Sequence, residues 1–198
     1  MAPLNDEQLT QIRDERKEQI IAAALKVFAR RGIAGTKMSM IATEAGISHG
    51  LLYHYFKSKD DLFTTLVEGA VLEAHEEMKR VYELPGSPIE RIRMLTESTL
   101  DEGGKPYFLL IHQARTSEGV PERAKQLIEK YSLELFVEQL RPLFEQGQQA
   151  GEVAEGDAGE LIACYLSVLS GLMVLSAHET PDYIMPRIDL LLRLVERR

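Results

Sequence analysis

The fold is decided by one stretch of 24 residues, Thr36–Lys59, which reads TKMSMIATEAGISHGLLYHYFKSK. Its first half has apolar residues at helical spacing, and Thr36 is placed to cap that segment at its N-terminus. Gly46 follows the segment directly, where a left-handed backbone conformation would end a helix at little cost. Ser48 can then cap a second segment that begins at His49. Two short helices joined by a tight, glycine-containing turn are predicted, which is the helix-turn-helix plan.

The second segment has an unusual composition for a core helix. Between His49 and Tyr55 it carries two histidines and two tyrosines. Leu52 and Phe56 are four residues apart and can face inward, which leaves His49 and Tyr53 facing outward. Exposed N–H and hydroxyl donors suit phosphates, and ring faces suit thymine methyl groups. The alternative is that the tyrosines are core residues with their hydroxyls at the rim. Because the segment follows a capped turn, we favour a surface that faces DNA.

A longer helix precedes this stretch. Its apolar residues recur at helical spacing from Ile20 to Phe28, and it ends at Arg31-Gly32 with a basic last turn and a glycine C-cap. Two short helices cannot bury much surface alone, so we expect the longer helix to pack across them. Residues 1–58 are therefore predicted to form a three-helix, N-terminal helix-turn-helix domain, which we call the head.

The rest of the chain also reads as helices, because alternating apolar and polar runs with Asn-Gly or Asp-Gly turns are missing from it. Pro121 opens a long helix in which Pro142 predicts a kink, and a last helix follows Pro181. We predict an all-α fold of about nine helices, with residues 59–198 forming the larger domain, which we call the body. Further helix starts are indicated by Ser58, by the capping box Ser87–Glu90, by the break at Gly103-Gly104 and by Asp157.

Composition and charge limit the class of protein. The chain has 198 residues, 44% of them hydrophobic and 27% charged, which is enough for a buried core. Residues 1–59 hold nine Lys/Arg against six Asp/Glu, whereas the remaining residues hold fourteen against twenty-five, within a net charge of −8. A basic head on an acidic body is expected where one end meets a polyanion. The single cysteine and the polar N-terminus, which has no apolar stretch of signal-peptide type, favour a reducing, cytoplasmic location.

One segment raises the question of a membrane. Residues 161–177 form a run of 17 without a charge, whereas a spanning helix needs about 20 apolar residues. The run also contains three serines, a tyrosine, a cysteine and a glycine, with no basic cluster beside it. We therefore predict a helix buried in a bundle and no membrane contact.

Motifs of enzymes are missing from the sequence. It contains neither G-x-x-x-x-G-K-[ST] nor H-E-x-x-H, and no histidine has a glutamate three residues before it. Cys164 lies in the apolar run, where a thiol is inert. We predict no catalysis, no metal and no other cofactor.

The string GISHGLLYHYFKSKDDL, Gly46–Leu62, closely resembles the signature of TetR-family transcriptional regulators. The layout is similar too, with F-A-R-R-G at Phe28–Gly32, then Thr36, the motif, and about 135 residues of helices. The motif is highly specific, whereas the larger domain matches only in helix count and length. The resemblance implies a homodimer whose heads place recognition helices in successive major grooves of a near-palindromic operator in double-stranded DNA. It also implies a body that binds a small-molecule inducer.

Carried over by position, the resemblance assigns DNA contacts to nine residues. Lys37 stands where a small or hydroxyl residue is common in the family, which suggests an added phosphate contact. Leu51 stands where a polar residue is frequent, so we expect base reading there by methyl contact. The implied contacts are to phosphates from Thr36, Lys37, Tyr53, Tyr55 and Lys59, to phosphates or bases from Ser48 and His49, to base edges from Leu51, and from His54 at a position that varies.

The body offers candidates for the dimer and the pocket that the resemblance implies. Small residues on the uncharged helix permit close approach of a partner helix, and an apolar stripe on the last helix can complete a four-helix interface. The alternative is an internal core helix in a monomer. The dimer candidates are Ala163, Ser167, Ser170, Gly171, Ile184, Ile188, Leu191 and Val195. The inducer-pocket candidates are Tyr107, Phe108, His112, Arg115, Tyr131, Phe136, Tyr165, Met173 and His178.

We therefore predict a cytoplasmic, homodimeric, ligand-responsive repressor of transcription rather than an enzyme. A competing hypothesis is a helical protein-interaction module that docks a partner through its histidine- and tyrosine-rich segment without binding DNA. Activation in place of repression is a further alternative.

Overall fold

The computed structural model of the chain describes residues 6–101, 103–177 and 183–197. Within these ranges the only β-type pairing is an isolated bridge between Val153 and Glu196, and the prediction of an all-α fold is confirmed. Nine α-helices in the described ranges have seven or more residues and a tenth has five. They are α1 Asp6–Gly35, α2 Met38–Glu44, α3 His49–Tyr55, α4 Lys59–Arg80, α5 Pro88–Thr99, α6 Lys105–Thr116, α7 Glu122–Lys130, α8 Leu133–Gln149, α9 Ala158–Ala177 and α10 Ile188–Leu192, with a 3-10 turn Val81–Glu83 after α4.

The head is formed by α1, α2 and α3. The first helix packs across α2, which in turn contacts α3. Ile20, Phe28, Ile41 and Leu52 belong to its core and have no exposed surface. Gly32 interrupts α1 with a φ of 66°, a left-handed conformation that glycine adopts without strain. The predicted break at this glycine is therefore confirmed.

Two helices of the body hold the head. Phe63 on α4 packs edge-on against Phe28 of α1 with 5.1 Å between the ring centroids, so α4 completes the core of the head. The sixth helix packs on both α1 and α4, and the Gln113 side chain donates a 3.1 Å hydrogen bond to the Ala29 carbonyl. In the body, α9 packs on α6 and α8, and α7 packs on α4 and α6. The buried helices of the body are thus in direct contact with the elements that support the head.

Several predicted helix starts are confirmed by their hydrogen bonds. Ser58 Oγ accepts from the N–H three residues later at 3.0 Å, and Asp157 Oδ1 does the same at 2.9 Å. At the start of α5 the Ser87 N–H donates to Glu90 Oε2 at 2.8 Å, as the capping box requires. These starts depend only on residues within one turn, which is why the sequence pattern locates them.

The prediction of a single long helix after Pro121 is wrong, because the segment forms two helices. The helix breaks at Tyr131, whose φ of −102° and ψ of 57° are not helical, and α8 begins after Ser132. Ser132 Oγ accepts from the Leu135 N–H at 3.4 Å, so a side-chain acceptor marks the new start. Pro142 lies inside α8 and does not divide it.

The last helix is shorter than predicted, because only Ile188–Leu192 is helical in the described part of the C-terminal segment. Pro186 has no N–H to donate and disfavours a helical residue before it. After α10 the chain turns back on the loop that follows α8, where the Ala154 N–H donates to the Val195 carbonyl at 2.8 Å. Pro181, which was expected to precede the helix, lies outside the described residues.

Candidate nucleic-acid interface

The turn between α2 and α3 has the predicted geometry. Gly46 has a φ of 64°, in the left-handed region, and no heavy atom lies within 4 Å of the position a Cβ would take. Glycine is therefore needed at this turn for its backbone conformation rather than for space. Ser48 Oγ accepts the Leu51 N–H at 3.2 Å and caps α3. Together these two residues set where α2 ends and α3 begins.

The third helix has one buried face and one open face, as predicted. Leu52 and the following Phe56 are buried in the core of the head. On the other face Tyr53 keeps 44% of its surface exposed and Leu51 keeps 37%. His49 is exposed as well. An apolar side chain and polar aromatic rings thus stand together on a helix that is anchored from behind.

Aromatic contacts along α3 order this open face. The rings of His49 and Tyr53 lie edge-to-face, 4.8 Å apart, and the rings of His54 and Tyr55 lie edge-to-face at 5.6 Å. Tyr55 is half-buried against the core, whereas His54 is exposed. Paired rings limit the rotamers available to each partner, so the donors of His49 and Tyr53 are held together before any ligand arrives.

Thr36 does not cap α2, contrary to the prediction. Its side chain is 2% exposed, and its hydroxyl donates to the Gly32 carbonyl at 2.7 Å, across the break in α1. The N-cap position belongs to Lys37, which has an extended backbone and makes no side-chain cap. Lys37 is exposed, so the start of α2 presents an ammonium group to solvent and keeps the threonine hydroxyl inside the head.

Lys59 has an internal partner that the sequence pattern did not indicate. Its Nζ donates to the Ile33 carbonyl at 2.7 Å, and the residue is half-buried at the start of α4. An ammonium has three N–H groups, so two others are available for a second partner. Lys59 thus joins the start of α4 to the chain just after the break in α1.

Gln19 is a supporting residue that the sequence analysis missed. Its Nε2 donates to the Ala45 carbonyl at 2.7 Å, and its Oε1 accepts from Arg16 Nη1 at 2.7 Å. The first helix is therefore hydrogen-bonded to the turn that precedes α3. A polar side chain on an exposed helix gives no pattern that could reveal a contact 26 residues away.

The predicted inducer-pocket residues differ widely in burial. Phe136, Tyr165 and Met173 are buried in the body, and Tyr131 is buried beside His75, with 5.3 Å between their ring centroids. Phe108 and His112 are half-buried, whereas Tyr107 and Arg115 are exposed. His178 lies outside the described residues.

Tyr165 is the most enclosed polar group among these candidates. Its hydroxyl lies 2.8 Å from Thr96 Oγ1, which itself donates to the Ile92 carbonyl at 2.6 Å. Because the single threonine proton is used on Ile92, the tyrosine donates to the threonine. Burial raises the pKa of Tyr165 to about 12. The polar atoms of this pair are therefore satisfied inside the chain.

A cleft of about 600 Å³ lies elsewhere, between α5 and the segment before α10. Arg93, Glu97 and Leu100 line one side, and Ile188 and Asp189 line the other. An ion pair closes part of it, with 2.8 Å between Arg93 Nη1 and Asp189 Oδ1. None of the predicted pocket residues lines this cleft.

The ninth helix leaves an uncharged strip of surface open. Cys164, Ser167, Gly171 and Leu175 are exposed along one face of it, and the predicted neighbours Ala163 and Ser170 are half-buried. In the described residues, Ala158–Ser176 is the one helix long and apolar enough to cross a membrane, and 33% of it is buried. The same test is passed by core helices of water-soluble proteins.

The stripe predicted on the last helix is largely used inside the chain. Leu191 and Val195 are buried, and Ile188 is half-buried against the core. Ile184, by contrast, is 86% exposed. Of these four candidates, Ile184 presents most of its side chain to solvent.

Comparison with known proteins agrees with this geometry. Residues 20–66 match the sequence model of the bacterial regulatory proteins of the tetR family. The chain is 28% identical over 194 residues to the HTH-type transcriptional regulator YerO of Bacillus subtilis, covering 93% of this chain and 67% of YerO. It is 46% identical over 81 residues to the regulator HbdR of an Aromatoleum species, covering 40% of this chain and 34% of HbdR. The chain thus matches about a third of the length of HbdR.

Solved structures show the same fold over most of the chain. A Saccharomonospora viridis protein in complex with choline matches with a TM-score of 0.73 at 20% identity, over 94% of this chain and 100% of that one. A TetR-family transcriptional regulator from Agrobacterium tumefaciens matches with a TM-score of 0.70 at 21% identity, over 84% of this chain and 89% of that one. Residues 20–66 thus match the tetR family of bacterial regulatory proteins, and the chain as a whole has the fold of these solved structures.

Proposed function

We propose that the chain is a cytoplasmic, homodimeric repressor that leaves a near-palindromic operator when a small molecule binds its body. The observation that carries the proposal is the open face of α3, where His49, Leu51 and Tyr53 are exposed while Leu52 is buried behind them. A recognition helix reads base edges in the major groove and must present its side chains in this way. Residues 1–58 form the DNA-binding domain in this proposal, and residues 59–198 bind the ligand and the partner subunit.

The contacts follow from where each side chain stands. Near the N-terminus of α3, His49 and Leu51 are assigned to base edges, with Ser48 beside them. Tyr53, at mid-helix, is assigned to a phosphate. At the C-terminal end of α3, Tyr55 is assigned to a phosphate and His54 to the outer edge of the contact. Outside the helix, Lys37 and Lys59 are assigned to phosphates, and Thr36 is assigned a contact through its main chain, since its hydroxyl is bound to Gly32.

Charge supports the choice of a polyanion as partner. Residues 36–59 contain three lysines and one acidic residue, Glu44, in a chain of net charge −8. Cations that neutralise phosphates release condensed counterions, so binding should weaken steeply with salt. The acidic body then disfavours contact with the rest of the duplex and orients the head toward it.

The homodimer is proposed through the uncharged strip on α9. Ser167 and Gly171 allow a second helix to approach closely, and Leu175 adds apolar surface. A helix with so little charge is stable in water when both sides are covered, and a single chain covers one side. Ile184 stands near the chain end as a further exposed apolar residue for the partner. An α9 pairing across a two-fold axis would also place the two heads at a fixed spacing.

The ligand response is proposed as a population shift. A small molecule bound among α6, α8 and α9 would favour a head spacing that no longer fits half-sites about 34–36 Å apart. Helix α6 could carry that change, since it contacts α1 as well as α9. The choline complex of the S. viridis protein supports a small-molecule site in this fold.

The test is selection of duplexes from a random pool at about 0.15 M salt, with sequencing of the retained DNA. Wild type is compared with Tyr53→Ala and with Leu72→Ala, a control on α4 whose side chain is 42% exposed. A two-fold-symmetric consensus retained by wild type and the control but lost by Tyr53→Ala is the expected result. A folded wild-type protein that enriches no consensus and captures duplex DNA without salt dependence would overturn the proposal and favour a protein-docking role for α3.

A further inference from the structure

The N-terminal part of α1 extends beyond the core of the head. Every side chain described between residues 8 and 19 is exposed except Arg16, which is half-buried, and the first fully buried residue is Ile20. Twelve helical residues span about 18 Å. We call this stretch, residues 8–19, the α1 extension. It is a helix with no core to cover, so its sequence is free to serve another purpose.

The direction of the α1 extension follows from two hydrogen bonds. Ala29, in the second half of α1, receives the Gln113 side chain from the body. Gln19, about 15 Å earlier along the helix, donates to Ala45 at the turn before α3. Followed from its C-terminal half toward its N-terminus, α1 thus leaves the body, passes the turn before α3 and continues as the α1 extension. The extension therefore projects away from the body, on the side where α3 begins.

One face of the α1 extension is basic. Arg13, Arg16 and Lys17 have the spacing i, i+3, i+4 and lie on a common face. Ile20 follows Arg13 by seven residues and Arg16 by four, so the basic face continues the face that is buried in the head further along. The side chains of Arg13 and Lys17 form no ion pair or hydrogen bond with any residue that the structure describes. Their charges are open to an outside partner.

The acidic residues of the α1 extension lie on the opposite face. Asp14, Glu15 and Glu18 share that side by the same spacing rule. Among these six residues, four pairs at i, i+3 or i, i+4 spacing carry like charges and one pair, Asp14–Lys17, carries opposite charges, a balance that destabilises an isolated helix. A helix that merely faced water would be more stable with opposite charges at those positions. Separation of the two signs is favourable when a polyanion lies along the basic face.

We propose that the α1 extension is a second DNA-binding surface, which lays Arg13, Arg16 and Lys17 along the phosphate backbone outside the base pairs read by α3. This inference rests on the proposed DNA-binding function of the head. The reach of about 18 Å corresponds to about five base pairs at 3.4 Å each. The contacts are to phosphates, so they add affinity and salt dependence without adding to the consensus sequence.

The test uses the full chain and two duplexes carrying the selected consensus, one ending at the consensus and one with six further base pairs on each side. Arg13→Gln/Lys17→Gln removes two cations from the basic face and leaves Arg16 bonded to Gln19. Asp14→Asn/Glu18→Gln is the matched control, which changes two charges on the opposite face. Binding is measured by fluorescence anisotropy between about 0.05 and 0.3 M salt, and folding by circular dichroism.

For wild type we expect tighter binding to the longer duplex. The Arg13→Gln/Lys17→Gln variant, which keeps Arg16, should lose most of the preference for the longer duplex, and its slope of log K against log salt should be shallower by about 3.6, or 0.9 for each of four phosphates lost per dimer. The control should keep the wild-type slope and length dependence. An unchanged slope in the basic-face variant would overturn the inference while leaving the head as a DNA-binding domain. So would a change of slope in the control that is equal in size and opposite in sign to that of the basic-face variant on both duplexes. If wild type binds neither duplex, the proposed function fails and this inference with it.

Discussion

A hydrogen bond between the Gln113 side chain and the Ala29 carbonyl joins the body to the head, and it uses only the NH2 group of the glutamine amide. Gln113 Nε2 donates to the Ala29 carbonyl at 3.1 Å, whereas its Oε1 is buried and has no hydrogen-bond partner among the residues that the structure describes. The bond joins α6, which also contacts α9, to the middle of α1. A ligand-dependent movement of α6 would act on this contact directly, and the unpaired oxygen makes the contact a weak one.

The first prediction is that Gln113→Leu stabilises the protein slightly or leaves it unchanged. It removes one hydrogen bond, worth about 0.5–1.5 kcal/mol, together with a buried unpaired oxygen that costs about 1–3 kcal/mol. The free energy of unfolding in urea should therefore rise by up to about 1 kcal/mol. Gln113→Glu is the isosteric comparison and should lose about 2 kcal/mol or more, because a carboxylate would face a carbonyl without a donor. A Leu variant less stable than the Glu variant would contradict this account.

The second prediction concerns the Tyr53 hydroxyl. Tyr53→Phe keeps the ring packed edge-on against His49 and removes only the proposed donor to phosphate. A hydrogen bond to a charged group is worth about 1.5–3 kcal/mol, so affinity for the selected duplex should fall roughly 10- to 100-fold for each subunit of the dimer. Thermal stability should not change, because Tyr53 is exposed and its hydroxyl has no partner in the described chain.

Tyr82→Phe is the matched control for loss of a tyrosine hydroxyl. In the body, the Tyr82 hydroxyl donates to the Gln139 carbonyl. The control should lower thermal stability and leave DNA affinity unchanged, which is the reverse of the result expected for Tyr53→Phe. Equal effects of the two variants on DNA binding would show that Tyr53 acts only through stability.

The sequence predicts those parts of the structure that depend on neighbouring residues. Gly46 sets the turn through its backbone conformation, and Ser48 sets the start of α3 through a hydrogen bond from the N–H three residues later. Leu52 and Phe56 are buried as their spacing indicates. Caps, turns and helix faces are local properties, and the head is small enough to be assembled from them.

Contacts between distant residues are what the sequence pattern misses. Lys59 and Gln19 each bond a carbonyl 26 residues away, and nothing in the spacing of charged or polar residues indicates these partners. Thr36 looked like a cap, but the bend at Gly32 brings a carbonyl within reach and draws the hydroxyl inward. The contact between Tyr165 and Thr96 is missed for the same reason, since the two residues are 69 positions apart.

The third prediction tests the α9 strip as the subunit interface. Gly171 and Gly69 are both helical and exposed, and neither has a heavy atom within 4 Å of its would-be Cβ. In a single chain, Gly→Lys should therefore raise helix stability by about 0.5–1 kcal/mol at either position. Gly171→Lys should nevertheless shift the protein to monomers in analytical ultracentrifugation, because a charge would enter an apolar, closely packed interface. Gly69→Lys should remain dimeric, and dimers in both variants would place the interface elsewhere.

The fourth prediction follows from the enclosed Tyr165 hydroxyl. Burial raises its pKa to about 12, whereas a tyrosine in the unfolded chain titrates near 10. Between these values the unfolded state has lost the proton and the folded state has kept it, so the stabilising contribution of Tyr165 is complete below pH 10 and is lost as the pH rises toward 12. Two pKa units correspond to a loss on the order of 3 kcal/mol. Tyr165→Phe cannot ionise, and it should cost about 1 kcal/mol at pH 8 for the lost bond to Thr96. Its free energy of unfolding should then fall less than that of wild type between pH 10 and 12, so that the two curves converge or cross. Parallel curves over that range would mean that the Tyr165 hydroxyl is not sealed from solvent in the folded protein.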